Sequence, residues 1–296
     1  MTGHLASCQV RLCAMIDNVV RISRNLKQIN DLVPLSHKPA MTIAKADYIE
    51  GLAKGLSVLE AFDTERQRLN ATLAANRTGI TRAAARRHLL TLAELGYLET
   101  DGSHYWLSAR VLRFAGSYMA TSRLPRTLQP TLNQLSQLTH ASFSAVVLDG
   151  DEGVIVARSA GVAEPVRHLA YGLHLGARLP AHATSTGRVL LANLSKTDFA
   201  QWLEGRALAR ITSQTEVGVS PFKALIARVR QDDYCLAREA HELGIHALAV
   251  PLRNMQGKTL AAINVVGTAE ELADATVQRK WLPLLLDAAR ALRPLL

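Results

Sequence analysis

The sequence predicts an α+β protein with two domains, an N-terminal winged helix-turn-helix joined by a linker helix to a C-terminal α+β domain. A length of 296 residues corresponds to about two domains of about 150 residues each. Within 46–108, three helical stretches are followed by two short strands around an Asp-Gly turn. Within 125–296, helices interleave with strand pairs, which is typical of helices packed on one face of a mainly antiparallel sheet. The stretch 109–124 supplies the linker helix.

The composition narrows the class of protein. Hydrophobic residues make up 48% of the chain, which is enough for packed cores and excludes wholesale disorder. The net charge of +9 indicates an anionic partner, with nucleic acid as the first candidate. Cys8, Cys13 and Cys235 form neither a disulfide framework nor a zinc-type pair, which favours a reducing cytoplasm. No apolar run is long enough for a transmembrane helix, so we expect no membrane association.

Residues 1–45 differ from the rest of the chain. They carry scattered basic residues without clear helix caps, and Pro34 and Pro39 interrupt them before Met41, a second candidate start. We expect a poorly ordered N-terminal extension. The alternative is a short amphipathic helix within 15–22.

The helices of the N-terminal domain have recognisable caps. The first helix begins near Tyr48. The second is capped by Asn70 and closed by Gly79, and the third is capped by Thr81 and closed by Gly96. Strands at 97–100 and 104–107 then flank the Asp-Gly turn, which completes a wing.

The linker helix and the C-terminal domain follow. The linker carries an apolar stripe from Val111 to Met119 that we expect to be buried. The stretches assigned after it are a helix at 128–138, strands at 143–148 and 154–158, a third edge at 165–171, helices at 184–192, 197–203 and 221–230, strands at 245–252 and 259–266, and a final helix at 270–292.

The third helix carries the clearest functional signal. Six arginines and no acid lie between Arg66 and Ala93, and an acid-free face suits the phosphates of duplex DNA. The small residues at 83–85 leave room for arginines to reach base edges in the major groove. A solvated basic face is the alternative for this helix alone, but the neighbouring helix and hairpin favour DNA binding. The predicted DNA contacts are Arg77, Thr81, Arg82, Ala84, Arg86 and Arg87, with Ser103 and His104 at the hairpin tip, where a purely structural turn is equally compatible.

Several stretches together resemble the IclR-type transcriptional regulators, over about 46–296. They are GLSVLE at 55–60, TGITR at 78–82, LPAHATSTGRVLLA at 179–192, HELGI at 241–245 and AAINVV at 261–266. The stretches RAAARRHL at 82–89, LRF at 112–114 and YGLHLGAR at 171–178 are most similar to the branch that governs the β-ketoadipate pathway and related aromatic acids, such as protocatechuate and 4-hydroxybenzoate.

The resemblance implies a GAF-like effector domain at 125–296, with dimers paired through the N-domain and linker helix, or dimers of dimers. It implies binding of promoter DNA and of a small aromatic or dicarboxylic acid, with RNA polymerase as a further partner. Regulators of this branch are commonly activators, so we expect an activator of aromatic-acid catabolism. The alternatives are a repressor that responds to another organic acid and a DNA-binding protein without a ligand. No cofactor is implied.

The loop that enters the 184–192 helix is the first candidate for the effector site. Hydroxyls and free N–H groups at the start of this helix suit a carboxylate, whereas helix capping by Thr184 is the structural alternative. The candidate residues here are Ala183, Thr184, Ser185 and Gly187, with Arg178 and His182 as sources of charge.

The resemblance adds residues from two later strands. Asn264 and Val266 match positions that carry polar ligand contacts in the family, and Ala247 matches a position that is often a small polar residue. Because Val266 and Ala247 are apolar, an aromatic or longer-chain acid fits better than an acid of two or three carbons. We also expect Glu239 and His241 near the pocket mouth.

An enzyme is not indicated. Ser185, His182 and Asp198 suggest a hydrolase set, but no G-x-S-x-G elbow is present. His241 and His246 are five residues apart across Gly244, so they do not share a helical face that would bind a metal.

Overall fold

The computed structural model describes residues 44–63, 66–159 and 174–296. The chain divides into two compact units, an N-terminal unit that ends at Ser122 and a C-terminal unit that begins at Arg123. The expected extension, except for its last two residues, and the expected edge at 165–171 lie outside the described residues.

The N-terminal unit is a winged helix-turn-helix, as predicted. Its elements are α1 (Glu50–Glu60), α2 (Ala71–Thr78), α3 (Arg82–Glu94), β1 (Leu98–Thr100), β2 (Tyr105–Leu107) and α4 (Leu112–Thr121). The predicted caps are confirmed: the side chain of Asn70 accepts from two backbone N–H groups at the start of α2, and Gly79 ends that helix with φ +70°. Glycine adopts this left-handed conformation without strain.

The core of the N-terminal unit lies between its helices and the hairpin. Val58, Leu69 and Leu89 are fully buried. A β-bridge between Leu69 and Tyr105 attaches the α1–α2 connection to the hairpin. The wing is thereby fixed to the three-helix platform.

The linker differs from the single buried helix that we expected at 109–124. It begins with a 3₁₀ turn, continues as α4, and stops at Ser122, whose backbone is extended. No residue of α4 is buried: Leu112 is 64% exposed and Phe114 is 61% exposed. The stripe is not buried within the single chain, because α4 meets little of its own unit beyond the stacking of Phe114 on Tyr97 at 5.6 Å.

The C-terminal unit is built on a six-stranded antiparallel sheet in the order β5-β4-β3-β8-β7-β6. Its strands are β3 (Ser142–Asp149), β4 (Glu152–Arg158), β5 (Arg178–Pro180), β6 (Cys235–Arg238), β7 (Ile245–Arg253) and β8 (Thr259–Thr268). Its helices are α5 (Arg123–Thr139), α6 (Ser185–Ala192), α7 (Lys196–Leu203), α8 (Val219–Asp232), α9 (Asp274–Thr276) and α10 (Leu282–Leu292).

Helices cover both faces of this sheet, whereas one covered face was expected. Val146, Ala249 and Ala262 pack with α6, α7 and α8 in one core cluster. Phe143, which points to the other face, contacts Trp281 just before α10. Every residue of α6 is buried, so this helix forms the centre of its layer.

The final helix is also less regular than predicted. A π-helical turn at Val277–Trp281 separates α9 from α10. Pro283 in the first turn of α10 has no N–H to donate to the preceding turn, which accounts for the local change of helix type. Strand β6 was not predicted, because four residues carry too little alternation to be distinguished from a loop.

Candidate nucleic-acid interface and ligand cavity

Helix α3 presents one face to its own core and one face to solvent. Its N-cap Thr81 accepts a hydrogen bond from the backbone of Ala84 at 3.2 Å. Ala85, Leu89 and Leu92 are buried against the platform. The side chains of Arg82, Arg86 and Arg87 are exposed, as the sequence predicted.

The arginines of this region fall into two groups. Arg77 is paired with Asp63, and Arg68 pairs with Asp101 at 3.5 Å and lies over the ring of Trp106. By contrast, no ion pair joins Arg82, Arg86 or Arg87 to any carboxylate of the described residues. These three guanidinium groups are therefore available to an external anion.

The tip of the wing is held by a carboxylate. Oδ1 of Asp101 accepts hydrogen bonds from the backbone N–H of His104 at 2.7 Å, from the backbone N–H of Ser103 at 2.9 Å and from the Ser103 hydroxyl at 2.9 Å. These donors lower the pKa of Asp101 to about 2. Ser103 and His104 therefore have a structural role in the turn, and they stand at the tip where a DNA backbone would pass.

The C-terminal unit contains a cavity of about 260 Å³ between the start of α6, the sheet and the segment after β6. Its walls are mostly apolar. The lining residues are Ser144, Val146, Ile155, Leu179, Ala183, Thr184, Ser185, Thr186, Ala237, Ala240, His241, Glu242, Ile245, Ala247, Asn264 and Val266.

The sheet forms one wall of this cavity. Ser144 of β3 lies directly opposite Asn264 of β8, and Val266 of β8 lies opposite Ala247 of β7. Residues two apart on a strand share a face, so a polar pair and an apolar pair lie side by side. A ligand on this wall meets two hydrogen-bonding side chains beside an apolar surface.

The start of α6 forms the facing wall. The Thr184 hydroxyl caps the helix by accepting from the N–H of Gly187 at 3.2 Å, as the structural alternative expected. Ser185 is 1% exposed and Asn264 is 8% exposed, and neither the Ser185 hydroxyl nor Oδ1 of Asn264 has a hydrogen-bond partner among the described residues. Buried polar atoms are rarely left unpaired, and both residues line the cavity, so these two atoms are the candidate hydrogen-bonding partners for a polar ligand.

His241 and Glu242 stand at another part of the wall. Burial lowers the pKa of His241, and His182 lowers it further, whereas Glu242 raises it. Two threonines hold the backbone of the segment that precedes these residues, after β6. The Thr212 hydroxyl donates to the Glu239 carbonyl at 2.6 Å, and the Thr215 hydroxyl donates to the Ala240 carbonyl at 2.7 Å.

The structure places the predicted effector residues in two groups. Those that line the cavity are Ala183, Thr184, Ser185, His241, Ala247, Asn264 and Val266. Those that do not are Arg178, His182, Gly187 and Glu239.

The residues of the second group have other contacts. Arg178 bonds Glu152 at 2.6 Å and Asp149 at 2.9 Å, and Nε2 of His182 bonds the carbonyl of Ala209 at 2.8 Å. A Cβ atom on Gly187 would overlap the Ala181 backbone, so this glycine serves packing. Glu239 has φ +51°, and its carboxylate accepts from the N–H of Gly244 at 2.8 Å.

Sequence reasoning missed some residues of the site. Ser144 and Glu242 line the cavity, and the alternation of β3 was the only signal for Ser144. Arg188, on α6, is 5% exposed. Its signal was available, because it is the one charged residue of a helix that ends in an apolar run.

The residues considered for a hydrolase or a metal site have other positions and contacts. His182 uses Nε2 on a backbone carbonyl, and Asp198 lies in the first turn of α7. Across the described part of the chain, no cluster of three His, Cys, Asp or Glu residues could hold a metal ion. No helix there is both long and apolar enough to cross a bilayer.

Two family models match the chain. Residues 51–102 match the model described as the IclR helix-turn-helix domain. Residues 116–293 match the bacterial transcriptional regulator IclR C-terminal model.

Named relatives cover most of the chain. It is 49% identical to the p-hydroxybenzoate hydroxylase transcriptional activator of Acinetobacter baylyi, over 86% of this chain and 94% of that protein. It is 45% identical to the Pca operon regulatory protein of the same organism, over 86% of this chain and 91% of that protein. A solved inducer-binding domain of the transcription factor PobR from Acinetobacter, a double mutant in complex with 3-hydroxybenzoic acid, is 44% identical with a TM-score of 0.55 and covers 58% of this chain and 98% of that chain.

Proposed function

The chain belongs to the IclR family of bacterial transcriptional regulators, and we propose that it activates genes of aromatic-acid catabolism when a hydroxybenzoate-type acid occupies its cavity. The DNA-binding half of this function rests on α3 and the wing. The sensing half rests on the C-terminal unit.

The DNA-binding surface follows from charge and shape. Arg82, Arg86 and Arg87 are exposed and lack ion pairs within the described residues. The small residues between them keep the helix slim enough for the major groove. Arg82 and Arg86 lie one turn apart on one side, whereas Arg87 is rotated by about 100° from Arg86. We therefore assign base reading to the first two and phosphate contact to Arg87.

The observation that carries the sensing half is the pair of unpartnered buried polar atoms in an apolar-walled cavity. The Ser185 hydroxyl and Asn264 Oδ1 belong to facing walls. A ligand with a carboxylate and a ring hydroxyl supplies an acceptor to the serine and a donor to the asparagine, while its ring fills the apolar space. The related regulators, named for p-hydroxybenzoate hydroxylase and for the Pca operon, support the same class of acid.

The exposed apolar faces support a dimer. Ile49 is 68% exposed and Leu52 is 60% exposed near and on α1, and Leu112 is 64% exposed on α4. Large apolar side chains that stay exposed on neighbouring positions of a helix are typical of a protein interface. A dimer that pairs these helices places two copies of α3 in successive major grooves, about 34 Å apart. We extend the proposal to dimers of dimers and to contact with RNA polymerase in activation.

Coupling between the acid and the DNA makes the protein a switch. If the acid changes the affinity for DNA, the DNA must change the affinity for the acid by the same factor. The relatives are transcriptional regulators, and we propose that this chain has no catalytic activity of its own.

The test begins with calorimetry of the full chain against 4-hydroxybenzoate, 3-hydroxybenzoate, protocatechuate and cis,cis-muconate. Operator DNA selected from a random duplex pool is then titrated with and without the acid that binds. Binding of at least one hydroxybenzoate supports the proposal. Absence of heat for every acid would leave a DNA-binding protein without this class of ligand.

A transcription assay distinguishes activation from repression. With a promoter behind the selected operator, an activator raises transcript only when protein and acid are both present. A fall in transcript with protein alone, relieved by the acid, would contradict activation and favour the repressor alternative.

A further inference from the structure

Helix α6 contains a cation that the assigned functions have not used. Every residue of this helix is buried, and Arg188 is 5% exposed. Arginine is seldom buried unless it is paired with an acid, because a bare charge is expensive to remove from water. Its partners therefore decide whether it is merely structural.

The partners of Arg188 are neutral. Its Nε donates to the His182 carbonyl at 2.8 Å. Its charge and hydrogen bonding also act on the Cys235 thiol, whose pKa is raised by burial and lowered in part by Arg188. No carboxylate of the described residues forms an ion pair with this guanidinium.

These contacts place the guanidinium beside the cavity wall. Helical side chains point toward the helix N-terminus, and the bond to His182 fixes the group next to Ala183 and Thr184, which line the cavity. Cys235 lies two residues before Ala237 on the same face of β6, and Ala237 also lines the cavity. The Arg188 charge therefore lies behind two parts of the cavity wall, the start of α6 and strand β6, and neutral residues separate it from the cavity.

The field at this position favours an anion. The start of α6 adds the positive end of a helix dipole to the charge of Arg188, and a low local dielectric lets both act over several ångströms. Glu242 is the only acid among the residues lining the described cavity. An arriving carboxylate at the start of α6 would supply the counter-charge that the described residues do not provide.

We propose that Arg188 is a specificity-determining residue that makes the cavity select carboxylates over neutral ligands of the same shape. It acts through its field and by positioning the start of α6, without touching the ligand. This inference rests on the proposed function, because it assumes that a hydroxybenzoate-type acid occupies the cavity. A purely structural arginine would support both kinds of ligand equally.

The experiment compares 4-hydroxybenzoate with 4-hydroxybenzamide, which replaces the carboxylate by a neutral group of nearly the same shape. Calorimetry uses the full chain as wild type, Arg188→Gln, Arg188→Lys and Ser185→Ala. We expect Arg188→Gln to lower the affinity for the acid at least about tenfold, which is the effect of one charge interaction in a partly screened site. The affinity for the amide should stay nearly unchanged.

The other variants supply matched controls. Ser185→Ala removes a hydroxyl that can donate to either ligand, so it should weaken the binding of both. Arg188→Lys keeps the charge and should keep the preference for the acid, which gives an independent result if Arg188→Gln does not fold. Near-ultraviolet circular dichroism and operator binding establish folding.

The outcomes are distinguishable. The inference is supported if Arg188→Gln loses affinity for the acid but not for the amide, and if Arg188→Lys keeps the preference for the acid. Equal weakening of both ligands, no change of either, or a folded Arg188→Lys without the preference would overturn it and leave the proposed function intact. A wild-type protein that binds neither ligand would overturn the inference together with the 4-hydroxybenzoate form of the proposed function.

Discussion

Replacing single arginines of α3 should separate base reading from phosphate contact. Arg86 and Arg87 are neighbours in sequence, both are exposed, and neither has an ion pair among the described residues. Their directions on the helix differ by about 100°. We therefore expect Arg86→Ala and Arg87→Ala to change DNA binding in different ways, although each removes one charge.

The magnitudes follow from these positions. Arg86 lies about 6 Å along the helix from Arg82, which spans about two base-pair steps of about 3.4 Å. If Arg86 reads a guanine, Arg86→Ala should cost about 1–3 kcal/mol and relax specificity at that base pair. Arg87→Ala should remove one phosphate contact from each protomer. In a dimer, the slope of log K against log salt should then fall by about 1.8, since each contact contributes about 0.9.

The assay is an anisotropy titration of the operator and of operators with single substitutions, at about 50 and about 200 mM salt. Arg77→Ala is the control, because Asp63 already pairs with that guanidinium, and we expect a smaller change of affinity. The assignment fails if Arg86→Ala weakens all DNA sequences equally. It also fails if Arg87→Ala alters the preferred sequence while the salt slope stays unchanged.

Three further changes test the structure around both sites. Gly187→Ala should lower the free energy of unfolding of the C-terminal unit by about 1–3 kcal/mol in denaturant unfolding, because a Cβ at this position would overlap the backbone. The control is Gly116→Ala on α4, where an added Cβ meets nothing within 4 Å. Equal stabilities of the two variants would contradict the packing role of Gly187. The folded-state pKa of Asp101 is about 2, below its usual 3.8, so its stabilisation of the wing is full above the usual value and disappears as the pH falls toward 2. The gap in melting temperature between wild type and Asp101→Ala should shrink over that range, and a constant gap would exclude the carboxylate as the cause. Thr212→Val and Thr215→Val remove the hydroxyls that hold the segment after β6. Each substitution should cost about 1 kcal/mol of stability and should weaken hydroxybenzoate binding in calorimetry. Unchanged binding would show that this segment does not shape the cavity.

Local signals made the N-terminal unit predictable. Asn70 and Thr81 cap helices in the sequence and in the structure, because capping depends on residues two or three positions apart. The inward face of α3 could be assigned because helical periodicity is short-range. The linker could not be assigned in this way, because burial of α4 depends on a surface that its own unit does not provide.

The cavity was only partly predictable, since its walls come from segments distant in sequence. Ser144 faces Asn264 through the register of β3 and β8, and no local pattern specifies that register. Gly187 and Arg178 were assigned to the ligand from chemistry alone, but backbone packing and two carboxylates account for them. A residue type suited to a ligand is often equally suited to a structural role nearby.

The order of elements constrains how occupancy of the cavity reaches the DNA. Ser122 is an extended residue between α4 and α5, so it is the covalent connection from the wing side to the sensing side. Helix α5 packs on β3 and β4, and these strands contribute Ser144, Val146 and Ile155 to the cavity wall. We therefore propose that a ligand that orders this wall acts on the helix that begins directly after the connection. Because coupling free energy is reciprocal, variants that loosen α5 against β3 should reduce the effect of the acid on DNA affinity and the effect of DNA on acid affinity by the same factor.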